Sequence, residues 1–260
     1  MAFDRNDIRR GFDKHAGEYE QHADLQRQVL QRVAAYLQPK LHTGGTVLDV
    51  GCGTGRLRAM LPEAGVLAGC DVAFNMCQQA AKRMERVVCA DAMALPYADA
   101  SVDAVVCSLM LQWMDDRAAA LAEMNRVLKP GGVAMITTFG PHTLHELRAA
   151  FSVVDDTPHV SHFATLGELV GDSQKAGFDC ADIKEDYIYL SYASCRELML
   201  SVKSIGAANH LAERRKSLTG KGRLAAMETY YNAHYPAMDG GVRATWEVVY
   251  LMLHKPVGGV

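Results

Sequence analysis

A short apolar run followed by three closely spaced glycines constrains this chain more than any other feature. Thr46–Val50 has the composition of a buried strand, and Gly51, Gly53 and Gly55 follow it at the spacing G-x-G-x-G. Glycines after a strand let the backbone turn sharply and approach a ligand closely. In an open α/β sheet, ligands collect beyond the carboxyl ends of the strands. The pattern therefore predicts a ligand site at the end of the first strand of a parallel sheet.

Residues 46–139 alternate short apolar runs with helix-like segments, which is typical of a parallel sheet with helices on both faces. Strands are predicted at 46–50, 66–71, 86–91, 102–108 and 133–139, with helices at 56–63, 75–84 and 117–127, and Lys129-Pro130-Gly131-Gly132 is predicted to be a tight turn. The second half of the chain is less regular. There we predict helices at 143–151, 166–176, 194–208 and 223–233, and strands at 183–191 and 245–254.

The two late strands complete the predicted sheet and leave a long connection between them. A connection of that length is usually functional, and we expect it to cover the ligand. The chain is accordingly divided into an N-terminal helical cap at residues 1–45, a core at 46–191 and 245–260, and an inserted helical lid at 192–244.

The residues around the glycines distinguish two kinds of ligand. The dinucleotide fingerprint G-x-G-x-x-G needs a glycine or alanine where this chain has Arg56, so that the helix packs closely beside a pyrophosphate. Asp49 precedes the loop, and its carboxylate repels a pyrophosphate but attracts an ammonium or sulfonium cation. The loop therefore favours a cationic ligand without phosphates over a nicotinamide dinucleotide.

Acidic residues also end the second and third predicted strands. Asp71 is placed to accept hydrogen bonds from both hydroxyls of a ribose. Asp91 and the backbone N–H of Ala92 are placed to hold the amino group and a ring nitrogen of an adenine. The alternative for each aspartate is a helix N-cap, a role that aspartates often fill. Together with Asp49 they place acidic groups at the ends of three consecutive strands, which is more specific than any one alone.

Charge and cysteine content limit the class of protein. The chain has 27 basic and 30 acidic residues, a net charge of -3, whereas a dedicated duplex-DNA-binding protein is usually more basic. Its seven cysteines are odd in number and lack C-x-x-C spacing, which predicts free thiols in a reducing compartment and no metal site. The charged start MAFDRNDIRR has no signal-peptide core, and no apolar stretch is long enough to span a bilayer. We expect a cytoplasmic protein that binds neither nucleic acid nor membrane.

The loop, the aspartates and the Lys129-Pro130-Gly131-Gly132 turn together resemble the class I methyltransferases over residues 46–139. The resemblance implies an α/β fold with a Rossmann-like sheet of seven strands and helices on both faces. It also implies a methyl donor, S-adenosylmethionine, which leaves as S-adenosylhomocysteine. It assigns donor binding to the following positions: Asp49, Gly51, Gly53, Gly55, Asp71, Val72, Asp91, Ala92 and Ser108.

Motifs over nearly the whole chain narrow the resemblance to one family. Residues 12–20 (FDKHAGEYE), 108–113 (SLMLQW) and 138–148 (TFGPHTLHELR) are similar to the malonyl-[acyl-carrier-protein] O-methyltransferases of biotin synthesis, the BioC family. The resemblance implies a carboxyl O-methyltransferase that esterifies the free carboxylate of a malonyl thioester, on acyl carrier protein or coenzyme A, at the start of pimeloyl synthesis. A malonyl carboxylate is ionised at neutral pH, so we expect positioning groups and no general base.

Five residues are predicted to position the acceptor or the transferred methyl group. Tyr19 stands in an N-terminal segment that is placed to close over the donor, and Gln112 and Trp113 follow the fourth strand. His145 and Arg148 lie one helical turn apart after the fifth strand, and the Arg148 guanidinium matches a carboxylate. The alternatives are that Trp113 belongs to the core, that His145 is a surface or capping residue, and that Arg148 pairs with a neighbouring glutamate or solvent.

The resemblance also implies an acidic partner, the acyl carrier protein that carries the malonyl thioester. Basic residues of the lid and the N-terminus are candidates for docking it, although a charge run is usually a solvated face. These residues are Lys203, Arg214, Arg215, Lys216, Lys221 and Arg223, with Arg5, Arg9 and Arg10. Two alternative functions remain: methylation of another small carboxylic acid, and a methyltransferase-like assembly factor that acts on a protein. Met110 stands where we expect a smaller or more polar residue.

Overall fold

The fold is organised around one seven-stranded sheet. A computed structural model describes residues 5–16, 23–204 and 221–257 of the 260-residue chain. The strand order is β3-β2-β1-β4-β5-β7-β6; β1 to β5 run parallel, and β7 is antiparallel to both of its neighbours. The strands are β1 Thr46–Val50, β2 Val66–Asp71, β3 Arg86–Cys89, β4 Val102–Ser108, β5 Leu128–Phe139, β6 Asp179–Tyr192 and β7 Val242–His254. The predicted seven-stranded α/β fold is confirmed.

Helices cover both faces of the sheet. The structure also contains two separate 3₁₀ turns, Gln38–Lys40 and Leu111–Trp113. The α-helices are α1 Arg5–His15, α2 Asp24–Leu37, α3 Leu57–Met60, α4 Phe74–Ala80, α5 Arg117–Val127, α6 His145–Ser152, α7 Leu166–Lys175, α8 Cys195–Ser204 and α9 Lys221–His234. No helix among the described residues is long and apolar enough to cross a membrane.

Helix α2 shows how the sequence pattern produces one of the two cores. Val29, Val33 and Leu37 recur at intervals of four residues, so they share one helix face, and all three are fully buried. Each such side chain contributes about 1.5–3 kcal/mol through burial. On the opposite face of the sheet, α5 buries Leu121 and Met124 against a second apolar cluster.

The strand order places a crevice above β1. Strand β1 pairs with β2 on one side and with β4 on the other, so the chain winds away from β1 in both directions. In open α/β sheets, ligands bind at such a switch point, beyond the carboxyl ends of the strands. The glycine loop that follows Val50 therefore lies at the position where the fold opens.

The predicted elements are all present, but several boundaries were wrong. The helix predicted at 56–63 is only Leu57–Met60, and the one predicted at 75–84 ends at Ala80. Strand β6 begins at Asp179 rather than at 183, because it pairs along the whole of β7. The predicted turn at 129–132 lies within β5, where the pairing of β5 with β4 is irregular. In this segment, the Gly131 N–H donates to the Lys255 carbonyl at 3.0 Å.

The predicted lid lies between β6 and β7, at residues 193–241. In its described part, α9 packs against α6 and buries Met227 and Tyr231 completely. The Tyr231 hydroxyl donates to the Arg243 carbonyl at 2.9 Å, at the beginning of β7. This part of the insertion is thus fixed to the end of the sheet that carries β5 and β7.

Candidate active site

The glycine loop is held against the end of β2. The backbone N–H groups of Gly51 and Cys52 both donate to the Cys70 carbonyl, at 2.8 and 3.0 Å. Gly51, Gly53 and Gly55 all have positive φ angles, of 75°, 51° and 77°, which glycine adopts without the steric cost that other residues meet. The sequence therefore folds into this loop because glycine occupies each left-handed position.

The three glycines face different neighbours. A Cβ at Gly51 would lie 2.6 Å from Met110 Cγ, and one at Gly55 would lie 3.0 Å from the Ala80 Cα in α4. A Cβ at Gly53 would meet nothing within 4 Å. Gly55 thus permits close helix packing, whereas Gly53 borders open space.

Asp71 connects the glycine loop to the segment after β2. Its Oδ2 accepts a hydrogen bond from the Gly53 N–H at 3.0 Å, and its Oδ1 accepts one from the Ala73 N–H at 2.9 Å. Burial raises the pKa of Asp71 to about 6, although both hydrogen bonds act in the opposite direction. A bound cation or hydroxyl donor would stabilise the ionised form, which is the property expected of a donor-binding carboxylate.

Neither Asp71 nor Asp91 is a helix N-cap. Helix α4 has Ala73 at that position, and no helix follows Asp91 before α5. Asp91 Oδ1 accepts from the Met93 N–H at 3.0 Å, which fixes the turn after β3. The N-cap alternative for both aspartates is therefore wrong.

A cavity of about 980 Å³, partly open to solvent, lies above the carboxyl ends of the first strands. Nine of the residues predicted for donor or acceptor binding line it: Gly51, Gly53, Asp71, Val72, Asp91, Ala92, Ser108, Gln112 and Trp113. The cavity therefore brings together most of the positions that the sequence indicated.

Two predicted donor residues and two predicted acceptor residues do not line the cavity. Gly55 packs on α4, and Asp49 is buried in β1, where burial and the nearby Asp71 raise its pKa to about 7. His145 and Arg148 lie on α6, away from the lining. Tyr19 is outside the described residues.

The charge of the lining indicates the kind of ligand. The described lining contains the carboxylates of Asp71 and Asp91 but no lysine, arginine or histidine. Gln26 also lines the cavity, and its buried Oε1 has no hydrogen-bond partner among the described residues. This oxygen is therefore an acceptor available to a ligand. Such a set suits the ammonium, sulfonium and ribose hydroxyl groups of S-adenosylmethionine, whereas it lacks the cations that a pyrophosphate needs. The residues present fit the predicted donor.

The turn after β4 forms another part of the cavity wall. Leu109 has a φ of 50°, a left-handed conformation that is unfavourable for leucine. Its N–H donates to Thr137 Oγ1 at 3.1 Å, and its carbonyl accepts from Gln112 Nε2 at 2.7 Å. Thr138 Oγ1 in turn donates to Gln112 Oε1 at 3.2 Å. This network holds Met110 against Gly51, so Gln112 acts on the cavity by shaping its wall.

The N-terminal segment supplies lining residues that the sequence analysis did not assign to the site. Ile8 and Phe12 of α1 and Gln26 of α2 border the cavity, and Phe12 packs edge to face on Trp113. Asn75 ties α1 to α4, because its N–H donates to Asp13 Oδ1 at 2.9 Å. The available signal was the i, i+4 spacing of Ile8 and Phe12 in an otherwise charged segment.

Arg148 is held beside the end of β5. Its Nη1 donates to the Pro141 carbonyl at 3.1 Å, and its Nη2 lies 3.5 Å from the Thr143 carbonyl. Its buried Nε has no partner among the described residues, and burial lowers the pKa of the guanidinium. It does not pair with Glu146, which is fully buried and accepts hydrogen bonds from Thr245.

His145 is half-exposed on the same helix. Its Nδ1 lies 3.2 Å from the His142 carbonyl, and its ring packs edge to face on Tyr235 with centroids 6.2 Å apart. Among the described residues, no group of three or more histidines, cysteines or acidic residues is arranged to hold a metal ion.

Comparisons with known proteins agree with this geometry. The family described as "Methyltransferase domain" matches residues 48–136. The crystal structure of YcgJ protein from Bacillus subtilis has a TM-score of 0.63 at 17% identity, over 87% of this chain and 99% of that one. The malonyl-[acyl-carrier protein] O-methyltransferase of Xylella fastidiosa is 38% identical over 98% of this chain and 89% of the relative. The biotin biosynthesis bifunctional protein BioHC of Cellvibrio japonicus is 36% identical, over 98% of this chain and 51% of the relative.

The seven-stranded sheet and its acidic cavity define a class I methyltransferase that uses S-adenosylmethionine as methyl donor. The similarity extends well beyond the domain shared by that class, into both ends of the chain. The chain belongs to the malonyl-[acyl-carrier protein] O-methyltransferase family, as the sequence motifs predicted.

Proposed function

We propose that this protein transfers a methyl group from S-adenosylmethionine to the free carboxylate of a malonyl thioester on acyl carrier protein, in biotin biosynthesis. The observation that carries the proposal is the full-length similarity to malonyl-[acyl-carrier protein] O-methyltransferases. The acidic cavity supports the donor half of the reaction, because its lining attracts a cation. The cytoplasm is the proposed location, a compartment in which its seven free cysteines stay reduced.

The donor supplies an electrophilic methyl group on a sulfonium. Asp71 and Asp91 orient the nucleoside end of the donor, and the unpartnered Oε1 of Gln26 accepts from its ammonium group. The apolar side chains of Met110, Met114 and Phe139 exclude water from the remaining volume. Removing water from a carboxylate nucleophile and aligning it with the methyl group are the expected sources of the rate.

The acceptor needs no general base, because a carboxylate is ionised at neutral pH. It does need a group that fixes its orientation. Arg148 is our candidate: it does not line the donor cavity, but it is anchored on the loop that follows the lining residue Phe139, and its buried Nε keeps an unsatisfied donor for an acceptor that extends there. Burial strengthens an interaction between this guanidinium and an anion. We also assign Tyr19 to the acceptor side; His145 is a weaker candidate, because it is half-exposed.

The acyl carrier protein is the proposed partner. Arg9, Arg10 and Arg223 are exposed candidates for docking its acidic surface, and Arg223 Nη1 lies 3.8 Å from Asp155 Oδ2. The lid residues Arg214, Arg215 and Lys216, and the side chains of Lys203, Lys221 and Arg5, are outside the described residues. If docking is electrostatic, kcat/KM for malonyl-acyl carrier protein falls with ionic strength more steeply than kcat/KM for malonyl-CoA.

The decisive experiment compares three acceptors with labelled methyl donor: malonyl-acyl carrier protein, malonyl-CoA and free malonate. We expect label on the thioesters and most efficiently on the carrier protein. Label on malonate alone would replace the proposal by methylation of a free small acid. Absence of transfer to all three, with donor binding intact, would favour an assembly factor that acts on a protein.

Arg148→Ala tests the acceptor site in the same assay. We expect kcat/KM for the malonyl thioester to fall roughly 10- to 100-fold, the effect of losing charge-assisted hydrogen bonds, with an unchanged Kd for the donor. Arg27→Ala is the matched control, because Arg27 is exposed and pairs only with the exposed Asp24 in the described structure. A loss of donor binding in Arg148→Ala would show that Arg148 is misassigned.

A further inference from the structure

Two thiols lie directly behind the wall of the donor cavity. Cys77 belongs to α4 and follows the lining residue Met76; Cys89 ends β3 and precedes the lining residue Ala90. Cys77 Sγ lies 3.6 Å from the carbonyl of Val88, the residue before Cys89, so the two thiols lie beside the same strand end. Cys77 is buried and Cys89 is exposed, so a reagent in solvent can reach one member of the pair.

Both thiols also touch the backbone of the residues that face the donor. Cys77 Sγ lies 3.4 Å from the Asp71 carbonyl, and Cys89 Sγ lies 3.5 Å from the Val72 carbonyl. Each sulfur is thus placed to donate a weak hydrogen bond to a cavity-lining residue. Asp71 and Cys89 are also register partners in the β2–β3 pair, so the thiols lie beside the strand end that positions the Asp71 carboxylate.

We infer that Cys77 and Cys89 form a thiol-modification site, at which a small-molecule disulfide converts the pair into an intramolecular disulfide and thereby weakens donor binding. The inference goes beyond the proposed function and rests only on its donor-binding part. It concerns neither the acceptor nor the carrier protein.

The reaction is two successive thiol–disulfide exchanges. The Cys89 thiol loses its proton and attacks one sulfur of the small disulfide, whose S–S bond breaks and releases one thiolate. Cys77 then loses its proton and attacks Cys89 Sγ, which releases the second thiolate. The thiolates take up the two protons. Two protein thiols are oxidised, and one small-molecule disulfide is reduced to two thiols.

The second exchange is the slower step. Burial and the nearby Asp71 raise the pKa of Cys77 to about 12, so little of its thiolate is present at neutral pH. The rate of closure therefore rises with pH, whereas the extent of closure is set by the redox potential of the thiol pool.

Closure changes the cavity for two reasons. Closure brings the two sulfurs to a bond of about 2.05 Å, which draws the beginning of α4 towards the end of β3. Neither sulfur then carries a proton to donate to the carbonyls of Asp71 and Val72. Met76, Asp71, Val72 and Ala90 all adjoin the pair and line the cavity. We expect the donor Kd to rise roughly tenfold, the scale of one net hydrogen bond or aligned contact.

The experiment treats the full-length protein with oxidised glutathione at pH 8.5, maps disulfides by mass spectrometry of non-reduced peptides, and measures the donor Kd by calorimetry. We expect a Cys77–Cys89 disulfide, a roughly tenfold higher Kd, and recovery of the reduced Kd with dithiothreitol. The absence of this disulfide, or its presence with an unchanged Kd, would overturn the inference.

Two variants make the result specific. Cys89→Ser keeps a hydroxyl near the Val72 carbonyl but removes the exposed thiol, so its Kd should not respond to oxidised glutathione. Cys180→Ser removes a partly exposed cysteine outside the pair, and its Kd should respond as that of the wild type does. A response in Cys89→Ser would assign the effect to other thiols and overturn the inference. Failure of the fully reduced wild type to bind the donor would instead contradict the proposed function, and this inference with it.

Discussion

Phe12 of the N-terminal helix and Trp113 after β4 meet edge to face, with ring centroids 6.1 Å apart and an interplanar angle of 75°. The contact joins two segments that lie about a hundred residues apart in the chain and that both line the donor cavity. It therefore forms part of the cavity wall. The sequence left open whether Trp113 is a core residue or a site residue. Trp113 is buried and also lines the cavity, so both interpretations apply.

Removal of the Phe12 ring should open the cavity. We expect Phe12→Ala to raise the donor Kd about tenfold, because an aromatic pair contributes about 0.5–1.5 kcal/mol beyond the burial of its area. Calorimetric titration with the donor measures this change. Arg9→Ala on the exposed side of the same helix is the control, and an equal loss of affinity in both variants would mean that α1 acts by general stability rather than through this contact.

Donor binding should weaken at acidic pH. Burial raises the pKa of Asp71 to about 6 in the donor-free protein, and ribose hydroxyls donate stronger hydrogen bonds to the ionised carboxylate than to the neutral acid. Binding therefore lowers the pKa and releases a proton, so affinity is full above pH 7 and falls as the pH drops through 6. We expect a Kd roughly tenfold higher at pH 5 than at pH 8, measured by calorimetry. Asp71→Asn should bind weakly at both pH values with a flatter profile; a wild-type Kd independent of pH would contradict the assignment.

Gly51 and Gly53 should respond differently to alanine. Both have positive φ angles, so each substitution costs about 1–2 kcal/mol of backbone strain. Only the Gly51→Ala methyl group meets Met110, at 2.6 Å, which adds an overpacking cost of about 1–3 kcal/mol. Urea unfolding should show the larger loss for Gly51→Ala. In Gly51→Ala with Met110→Gly, which removes both Met110 Cγ and Met110 Cβ from the clash, the combined loss should be smaller than the sum of the single losses; additive losses would show that the clash relaxes at no cost.

Thr138→Val should loosen the cavity wall without touching the ligand. The substitution leaves the buried Gln112 Oε1 without its donor, which costs about 1–3 kcal/mol of unfolding free energy. The donor Kd should rise as well, because Gln112 holds the unfavourable Leu109 conformation that positions Met110. Thr138→Ser keeps the hydroxyl and is the matched control. If valine and serine behave alike in both measurements, the hydrogen bond has no role in shaping the wall.

Local chemistry made the glycine loop visible in the sequence. A glycine stands at every left-handed position of the loop and Asp71 ends β2, and both requirements arise from residues that are close together in the chain. The seven strands could be predicted because short apolar runs between turns indicate buried strands. Strand ends were less accurate, since the start of β6 depends on pairing with β7 more than 60 residues later.

Long-range contacts decided the rest. The sequence alone determined that the chain forms an α/β sheet with a glycine loop after its first strand, because apolar runs and glycine spacing are local properties of the chain. Only the tertiary structure showed that Phe12 of α1 forms part of the cavity wall, that Gln112 supports the wall from within, and that Arg148 lies away from the lining. The roles of these residues depend on where their side chains point and on how far they lie from the cavity. Both are determined only when segments that are distant in the sequence pack together.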